Sequence, residues 1–451
     1  MSETRGGLRR TLGFTDLVLI TIGTVIGSGV YLVPSVVMRE SGGRPSVALL
    51  VWAIGGVLSL LGALTYAELG ASNPDAGGLY VYLRDAFGPL PAFLYGWTSF
   101  LVIASGSVAT LAVAFSNYLG QLVPLGPVAA RLVSVSLIIV LAVVNVRGTR
   151  NSANVQNWTT GAKVAGLVLL GLALIVWGKS PAAPTANPPA ALSLAGLGAA
   201  MIAVLWAYEG WQYVTFSAGE TRDPQKVFPR AITVATAALI AIYLLANFGY
   251  LAALGPSGVA TSQRVAADSV GTIMGAVAGK VVGALILISI FSATNGLFLT
   301  SPRMYYAMAR DGVFFKRLAE VHPRFETPAI AIAAIATWSV LLAATGTFEQ
   351  LLTYVVFTGW VFYALGAMSI FALRRRAPHA ARPFRVPGYP LTPALFVLSA
   401  ALLVMNTVVT QPARAAAGIG AVLLGLPAFY VWRARARAAA QPLTTGIRDV
   451  S

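Results

Sequence analysis

Two short segments of the chain combine glycine with polar or aromatic residues, and both lie inside long apolar runs. The first, residues 23–29 (GTVIGSG), has three glycines in seven residues, and each glycine costs a helix interior about 1 kcal/mol relative to alanine. The second, residues 206–210 (WAYEG), puts the carboxylate of Glu209 near the middle of its apolar run, where facing lipid would be expensive. Both segments are predicted to interrupt a helix and to face something polar.

The chemistry of such interruptions is that of the backbone. Unpaired N–H and C=O groups cannot face lipid, but they can line a cavity and hold a solute, and breaks in two halves of a chain indicate a transporter's binding site. A half-helix beginning at Gly29 would aim its positive end at an anion, while carbonyls before the breaks would accept hydrogen bonds from a cation. An amino acid carries both groups on neighbouring atoms. Close packing through Gly23 and Gly27 is the alternative interpretation of the first segment.

The elements that must hold these segments are membrane-spanning helices. The chain is 57% apolar and 10% charged, whereas an ordinary soluble domain has roughly a quarter of its residues charged. This composition excludes a soluble enzyme. Helices of about 20 residues cross a hydrocarbon layer, and uncharged runs of 22 to 24 residues occur at 45–67, 281–302, 327–348 and 350–373.

The sequence therefore predicts an all-α polytopic membrane protein with 12 transmembrane helices. The predicted spans are 14–38, 45–69, 89–122, 128–146, 156–177, 192–218, 231–254, 273–304, 327–346, 350–373, 391–410 and 415–433. The first and sixth spans contain the two glycine-weakened segments. The connections between spans, including outer ones at 180–191 and 255–272, are too short for an independent domain.

The distribution of charge predicts the orientation. The formal net charge is +16, and 23 of the 31 Lys and Arg residues lie on the side of the N-terminus, against 7 on the other side. By the positive-inside rule both termini are cytoplasmic, and charge placed in short connections disfavours a nucleic-acid surface. Because the chain has no Cys, no disulfide-linked subunit and no Cys-based metal site are expected.

No cofactor and no metal site are predicted, and the oligomeric state stays open. The Ala- and Arg-rich chain with minimal loops indicates a multi-pass plasma-membrane protein, of the bacterial inner membrane. The partners expected from the sequence are a small-molecule substrate and the lipid bilayer.

Several motifs together resemble the amino acid/polyamine/organocation superfamily, in its L-type amino acid transporter branch. In the first half they are GF at 13–14, IGSGVY at 26–31, YAELG at 66–70 and GGLYVY at 77–82. In the second half they are LWAYEGW at 205–211, DP at 223–224, PRAI at 229–232 and YAMARDG at 306–312. The combination is specific, although each piece alone is weak.

The resemblance implies a leucine-transporter-like five-plus-five inverted repeat with broken helices 1 and 6, working by alternating access. The implied division is a cytoplasmic tail (1–12), a first five-helix repeat (13–178), a second, inverted five-helix repeat (190–375), helices 11 and 12 (388–434) and a cytoplasmic tail (435–451). Carried over residue by residue, the carboxylate-binding segment falls on Gly27, Ser28 and Gly29, with carbonyls from Val25 and Ile26. The sixth-helix segment falls on Trp206, Ala207 and Tyr208, and Glu209 and Gly210 complete the expected substrate-binding set.

In relatives the aromatic residue that matches Trp206 gates the bound substrate, and an indole can stack over a side chain. Interfacial or packing aromatics are common in membrane proteins, so packing is the alternative role of this tryptophan.

Lys163 lies about seven residues into the fifth span, where snorkelling to the nearer surface is one interpretation. The resemblance implies another, because in sodium-independent members a fifth-helix lysine stands where sodium-coupled relatives hold a sodium ion. Its ammonium would then tie the first broken helix to the eighth, near Ser289, Ser292 and Ala293. Sodium coupling is disfavoured, and both exchange and proton symport stay open.

Glu209 stands where relatives show Gly, Ser or Asp. Its carboxylate would either attract the distal cation of Arg, Lys or ornithine, or pair within the protein and leave a pocket for neutral amino acids. The function predicted from the sequence is sodium-independent transport of L-amino acids, neutral ones first, with cationic amino acids or polyamines as the alternative. A sensor derived from a transporter and an ion-conducting pore are the alternatives of another class. The sequence has no rings of like charge and no filter repeats, which a pore would need. It also has no catalytic motif that would favour a membrane enzyme.

Overall fold

The computed structural model describes residues 8–179, 191–345 and 348–440. Within these ranges the regular structure is helical, apart from one isolated bridge between Leu12 and Thr221. The predicted outer connection at 180–191 and the tail at 435–451 lie largely outside the described residues, and the tail at 1–12 lies partly outside them.

The described α-helices up to residue 210 are α1 (Phe14–Val25), α2 (Gly29–Glu40), α3 (Pro45–Ser72), α4 (Leu79–Phe87), α5 (Pro89–Thr98), α6 (Ala104–Leu122), α7 (Pro127–Val146), α8 (Thr149–Trp177) and α9 (Leu194–Ala207). A π-helical turn, Ser99–Ile103, joins α5 to α6. A 3₁₀-helix, Trp211–Glu220, follows α9.

The later described helices are α10 (Pro224–Thr261), α11 (Val265–Met274), α12 (Ala278–Thr300), α13 (Pro302–Arg310), α14 (Ala329–Thr345), α15 (Phe348–Arg376), α16 (Leu391–Thr410), α17 (Pro412–Leu423) and α18 (Gly425–Ala440). Short 3₁₀-helices cover Gly275–Val277 and Lys316–Ala319.

Ten of the described helical segments are long and apolar enough to cross a membrane, or eleven if the bent pair α1 and α2 is one span. A further apolar helix, α14, is shorter, with 17 residues. The prediction of an all-helical polytopic membrane protein is confirmed. The third predicted span corresponds to Pro89–Leu122, which is 34 residues long.

The predicted loop at 255–272 is wrong, because most of it is helical. α10 runs to Thr261 with a single non-helical residue, Gly255 at φ 66°, and α11 covers residues 265–274. Glycine adopts this positive φ without strain, and the proline that follows it fits the first turn of a helix. The Gly-Pro pair therefore bends the helix without ending it.

Four helices, α8, α9, α10 and α12, pack around the pair α1 and α2. α1 packs against α8, α10 and α12, while α2 packs against α9 and α10. Between α3 and α10, the rings of Trp52 and Tyr243 meet edge to face with centroids 5.6 Å apart. The bent pair is therefore held in the interior of the bundle, where its backbone need not face lipid.

At the end of the bundle where α1 begins, the chain is fastened by backbone pairing and a buried ion pair. The N–H of Leu12 donates to the carbonyl of Glu220 (3.0 Å) and the N–H of Arg222 donates to the carbonyl of Leu12 (2.8 Å). The Glu220 carboxylate accepts from Arg303 (2.5 Å) and from the hydroxyl of Thr149 (2.7 Å), and Arg303 is fully buried. Arg303 is one of the 23 basic residues counted on the side of the N-terminus, and α13 brings it inside the bundle.

A second cluster at this end joins the short helix α4 to the residue that follows α13. The Arg84 guanidinium and the Tyr80 hydroxyl each donate to the Asp311 carboxylate at 2.8 Å. Burial alone would lower the pKa of the Arg84 guanidinium, but its hydrogen bonds to Asp311 and Asp85 raise it above its ordinary value. This arginine therefore stays charged and holds the two segments together.

Candidate functional site

The first glycine-weakened segment separates two helices. α1 ends at Val25 because Ile26 is extended (φ −73°, ψ 94°), and α2 begins at Gly29 with its axis turned by 51°. The first turn of a helix presents N–H groups that have no partner within the helix. The positive end of α2 therefore opens at residues 28–30, in the middle of the bent pair.

The second glycine-weakened segment also leaves α-helical geometry. α9 ends at Ala207, and the chain turns through residues 208–210 into the 3₁₀-helix. Gly210 has φ 129°, a conformation that side chains disfavour. A Cβ there would also lie 2.7 Å from the carbonyl oxygen of Thr24, so glycine is required for the close approach of the two chains.

The two segments lie side by side. The Thr24 hydroxyl donates to the carbonyl of Gly210 (3.1 Å), and a Cβ on Gly29 would lie 3.1 Å from the Cα of Ala207. The hydroxyl of Tyr243, on α10, lies 2.9 Å from the Ala207 carbonyl and 3.4 Å from the Val25 carbonyl. Tyr243 thus bridges both segments, a role that no feature of the sequence signalled.

A cavity of about 100 Å³ lies between the two segments. Eight of the eleven residues singled out by the sequence line it, namely Val25, Gly27, Ser28, Gly29, Trp206, Ala207, Glu209 and Gly210. The wall is completed by Thr24 of α1, by Ser107, Thr110 and Leu111 of α6, by Tyr213, and by Ala293 and Leu297 of α12. Sequence reasoning missed the α6 residues, although small polar residues at helical spacing in an apolar span are a signal that could have found them.

Three predicted residues do not line this cavity. The ring of Tyr208 packs against Tyr243 and Trp52, with centroids 4.8 and 6.0 Å away. Ile26 is fully buried and turns its carbonyl toward Lys163. The third is Lys163, whose ammonium contacts carbonyls at the end of α1 instead. Trp206, by contrast, lines the cavity and keeps part of its surface exposed.

Lys163 is fully buried on α8. Its ammonium lies 2.7 Å from the Gly23 carbonyl, 2.6 Å from the Ile26 carbonyl and 3.4 Å from the Ser289 carbonyl. An ammonium has three N–H donors, so each donor has one acceptor. The lysine connects the end of α1 to α12 and does not snorkel to a surface.

A polar network extends from this lysine toward the start of α8. Gln156 donates to the Ser292 hydroxyl (3.3 Å) and accepts from the side chain of Asn295 (2.8 Å). Asn145 of α7 donates to Asn295 (2.9 Å), and Thr160 donates to the Leu19 carbonyl (3.1 Å). α1, α7, α8 and α12 are thus cross-linked behind the cavity, mostly by amides whose partners are more than 130 residues away.

Glu209 reaches the cavity from the second segment. One carboxylate oxygen accepts a hydrogen bond from the hydroxyl of Tyr363 on α15 (3.0 Å). Among the described residues no Lys, Arg or His lies within ion-pair distance of it. The carboxylate therefore retains capacity for a further donor.

In the ranges that the structure describes, no group of three or more His, Asp or Glu side chains could hold a metal ion. The polar groups around the cavity are backbone N–H and C=O groups, hydroxyls and one carboxylate. This donor set is suited to binding a small zwitterion by hydrogen bonds.

Such an arrangement, in which two interrupted helices meet at a cavity inside a membrane protein, defines the class of membrane transporters. The sequence profile described as amino acid permease matches residues 12–426. The chain belongs to this family of the amino acid/polyamine/organocation superfamily, as the motifs predicted, and it is a transporter and not an enzyme.

Known relatives are similar over nearly the whole chain. The serine/threonine exchanger SteT of Bacillus subtilis is 32% identical over 435 residues, which are 95% of this chain and 98% of the relative. The human b(0,+)-type amino acid transporter 1 is 31% identical, over 90% of this chain and 84% of its own length. The mouse large neutral amino acids transporter small subunit 2 is 30% identical, over 94% of this chain and 81% of its own length.

Proposed function

We propose that this protein carries L-amino acids across a plasma membrane by alternating access, without sodium. The proposal includes twelve spans, formed by two inverted five-helix repeats (13–178 and 190–375) and two further helices (388–434), with both tails cytoplasmic in a bacterial inner membrane. The proposal is supported by the chain's membership of the amino acid permease family and by the two helix breaks, one in each half of the chain.

The observation that carries the proposal is the cavity between the breaks. The start of α2 offers the N–H groups of Ser28 and Gly29 to a carboxylate, and carbonyls at the ends of α1 and α9 accept from an ammonium. Trp206 stands on the wall, where its indole would cover the side chain of the solute. We expect the substrate-binding set to be the cavity-lining residues, with Ile26 and Tyr208 acting through their positions in the breaks.

Sodium independence is supported by Lys163. Its ammonium uses the carbonyls of Gly23, Ile26 and Ser289, which are the kind of oxygen ligands that a sodium ion would need. Two cations would not share these oxygens, because like charges at such short distance repel strongly in a medium of low dielectric constant. The relative that is named as an exchanger supports exchange as the mode of transport, with proton coupling as the alternative.

For the substrate we propose neutral amino acids first. The cavity is small, and Leu111, Ala293 and Leu297 give it an apolar side. Glu209 favours a second candidate, a cationic amino acid, because its carboxylate lines the cavity without a cationic partner among the described residues. A buried anion is stabilised most by a paired cation, and the substrate would supply it.

Counterflow in proteoliposomes tests the proposed function. Purified protein is screened by thermal shift against the amino acids, since a ligand that binds the folded state raises its apparent stability. Each stabilising amino acid is then tested for exchange of labelled substrate, with and without sodium. Saturable, sodium-independent exchange is the expected result. Binding without exchange would identify a sensor, and conductance without saturation would identify a pore.

The variant Glu209→Gln separates the two substrate candidates. If cationic amino acids contact the carboxylate, their uptake falls by roughly tenfold or more while neutral uptake is kept, because the lost partner is charged. If the substrate is neutral, uptake changes by less than about threefold. Glu320→Gln is the control, since Glu320 is an exposed acid outside the cavity.

A further inference from the structure

A second concave site lies away from the cavity, at the end of the bundle where α1 and α10 begin. This groove has a volume of about 650 Å³. Its walls include Phe14 of α1, Phe384 of the connection before α16, and the first turns of α10 with Lys226, Arg230 and Val234.

The polarity of the groove changes along α10. Lys226, Arg230 and Val234 are four residues apart and so lie on one face of the helix. At 1.5 Å per residue, the two basic residues come first, and the apolar residue follows about 6 Å deeper along a helix that crosses the membrane. Val234 and Phe14 are 49% and 42% exposed, so the deep part of the groove is both apolar and accessible.

The charge of the groove is positive. Lys226 has one carboxylate nearby, that of Asp223 at 3.8 Å, and both side chains are well exposed. Arg230 has no carboxylate partner among the described residues. By contrast, the arginines Arg374 and Arg382 at the same end are already engaged, since both approach the Glu68 carboxylate. Arg230 is therefore free to bind an anion, and Lys226 is held only by a long, exposed ion pair that an anion could replace.

We propose that this groove binds an anionic phospholipid. Its phosphate would contact Lys226 and Arg230, and its acyl chains would run along Phe14, Val234 and Phe384. The order of basic and apolar residues along α10 matches the order of headgroup and acyl chain along the membrane normal. Such a lipid would lie between α1 and α10, beside the helix that ends at the first break.

Native mass spectrometry of the full chain tests this proposal. The protein in detergent is titrated with phosphatidylglycerol and with phosphatidylcholine of the same acyl chains. We expect phosphatidylglycerol to bind at least about fivefold more tightly, since each basic residue near a headgroup contributes roughly fivefold. In the double variant Lys226→Gln/Arg230→Gln this preference is lost. In the control Lys316→Gln/Arg324→Gln, which removes two exposed basic residues outside the groove, it is kept.

Two further experiments distinguish binding of a lipid from binding of a small anion and from purely electrostatic attraction to the surface. Inorganic phosphate and glycerol phosphate should compete poorly with phosphatidylglycerol, and Val234→Asn should weaken both lipids without changing the preference between them. Equal binding of the two lipids, or a preference that survives the double variant, would overturn the proposal. Competition by glycerol phosphate as strong as that by the lipid would also overturn it, since the groove would then be a small-anion site only.

Discussion

The two breaks that flank the cavity each have a buried charge beside them, but the charges are satisfied in opposite ways. At the first break, the Lys163 ammonium has three carbonyl acceptors within 3.4 Å, two of them on α1 and its end. At the second break, the Glu209 carboxylate has one hydroxyl donor, from Tyr363, and faces the cavity. The Lys163 ammonium therefore has an acceptor for each of its donors within the protein, whereas the Glu209 carboxylate can accept further hydrogen bonds.

The difference indicates two separate roles. Lys163 maintains the shape of the first break, whereas Glu209 is available to contact a solute. Lys163 fixes the carbonyls that a broken helix leaves unpaired, and those carbonyls would otherwise be buried without a partner. Glu209 contributes little to the backbone of its own break, because Gly210 and the 3₁₀-helix make the turn there. We infer that the first break is set by a side chain and the second by local backbone geometry.

The largest effect is expected for Lys163→Met, which removes the ammonium and keeps an unbranched side chain. Leaving buried partners unpaired costs about 3 kcal/mol or more, so transport should fall by roughly a hundredfold or more. Substrate binding from the outer side should change less than about tenfold, because the cavity wall is intact. Uptake of labelled substrate and equilibrium binding are measured on the same preparation.

Lys280→Met on α12 is the matched control, since this lysine is exposed and has no role in either break. It should transport as the unmodified protein does. Unaltered uptake by Lys163→Met would remove the lysine from the mechanism.

A smaller effect is expected for Gly27→Ala. A Cβ at this position meets no atom within 4 Å, so the free protein should fold with a stability change within about 0.5 kcal/mol. The added methyl group would, however, project into the space proposed for the carboxylate. We expect substrate affinity to fall by roughly tenfold, measured by thermal shift with increasing ligand.

Gly161→Ala serves as its control, because that glycine on α8 is also open but does not line the cavity. If both variants bind substrate equally well, the carboxylate is not held at the first break.

The smallest effect is expected for Tyr243→Phe, which removes the hydroxyl that bridges the two breaks. A hydrogen bond of this kind contributes about 1 kcal/mol, which corresponds to roughly fivefold in transport rate. The comparison is Tyr250→Phe on the same helix, whose buried hydroxyl has no hydrogen-bond partner among the described residues. Equal rates for the two variants would mean that the breaks are not coupled through α10.

The local features of the fold were accessible from sequence, whereas the long-range contacts were not. Clustered glycines predicted a break at residues 23–29 and the carboxylate of Glu209 beside Gly210 predicted one at 206–210, and the chain leaves α-helical geometry at 26–28 and 208–210. Tyr243 and Tyr363 gave no such signal, because each is one tyrosine among 16 and its partner lies on another helix. The orientation of Tyr208 away from the cavity depends on how the turn before Gly210 rotates, which spacing alone does not fix.

Charge placement was likewise only partly predictable. Arg303 counts among the 23 basic residues on the side of the N-terminus because it lies near the end of a predicted span, but the arginine is buried against Glu220. The carboxylate comes from a segment more than 80 residues earlier in the chain, and only the packing of the bundle brings the two together.

The proposed position of the substrate can be checked in an experimental structure of the protein with its most stabilising amino acid bound. We expect the solute between the two breaks, with its carboxylate about 3 Å from the N–H groups of Ser28 and Gly29 and its ammonium facing carbonyls at the ends of α1 and α9. A solute bound elsewhere, or unbroken helices through residues 26–29 and 207–210, would contradict this expectation.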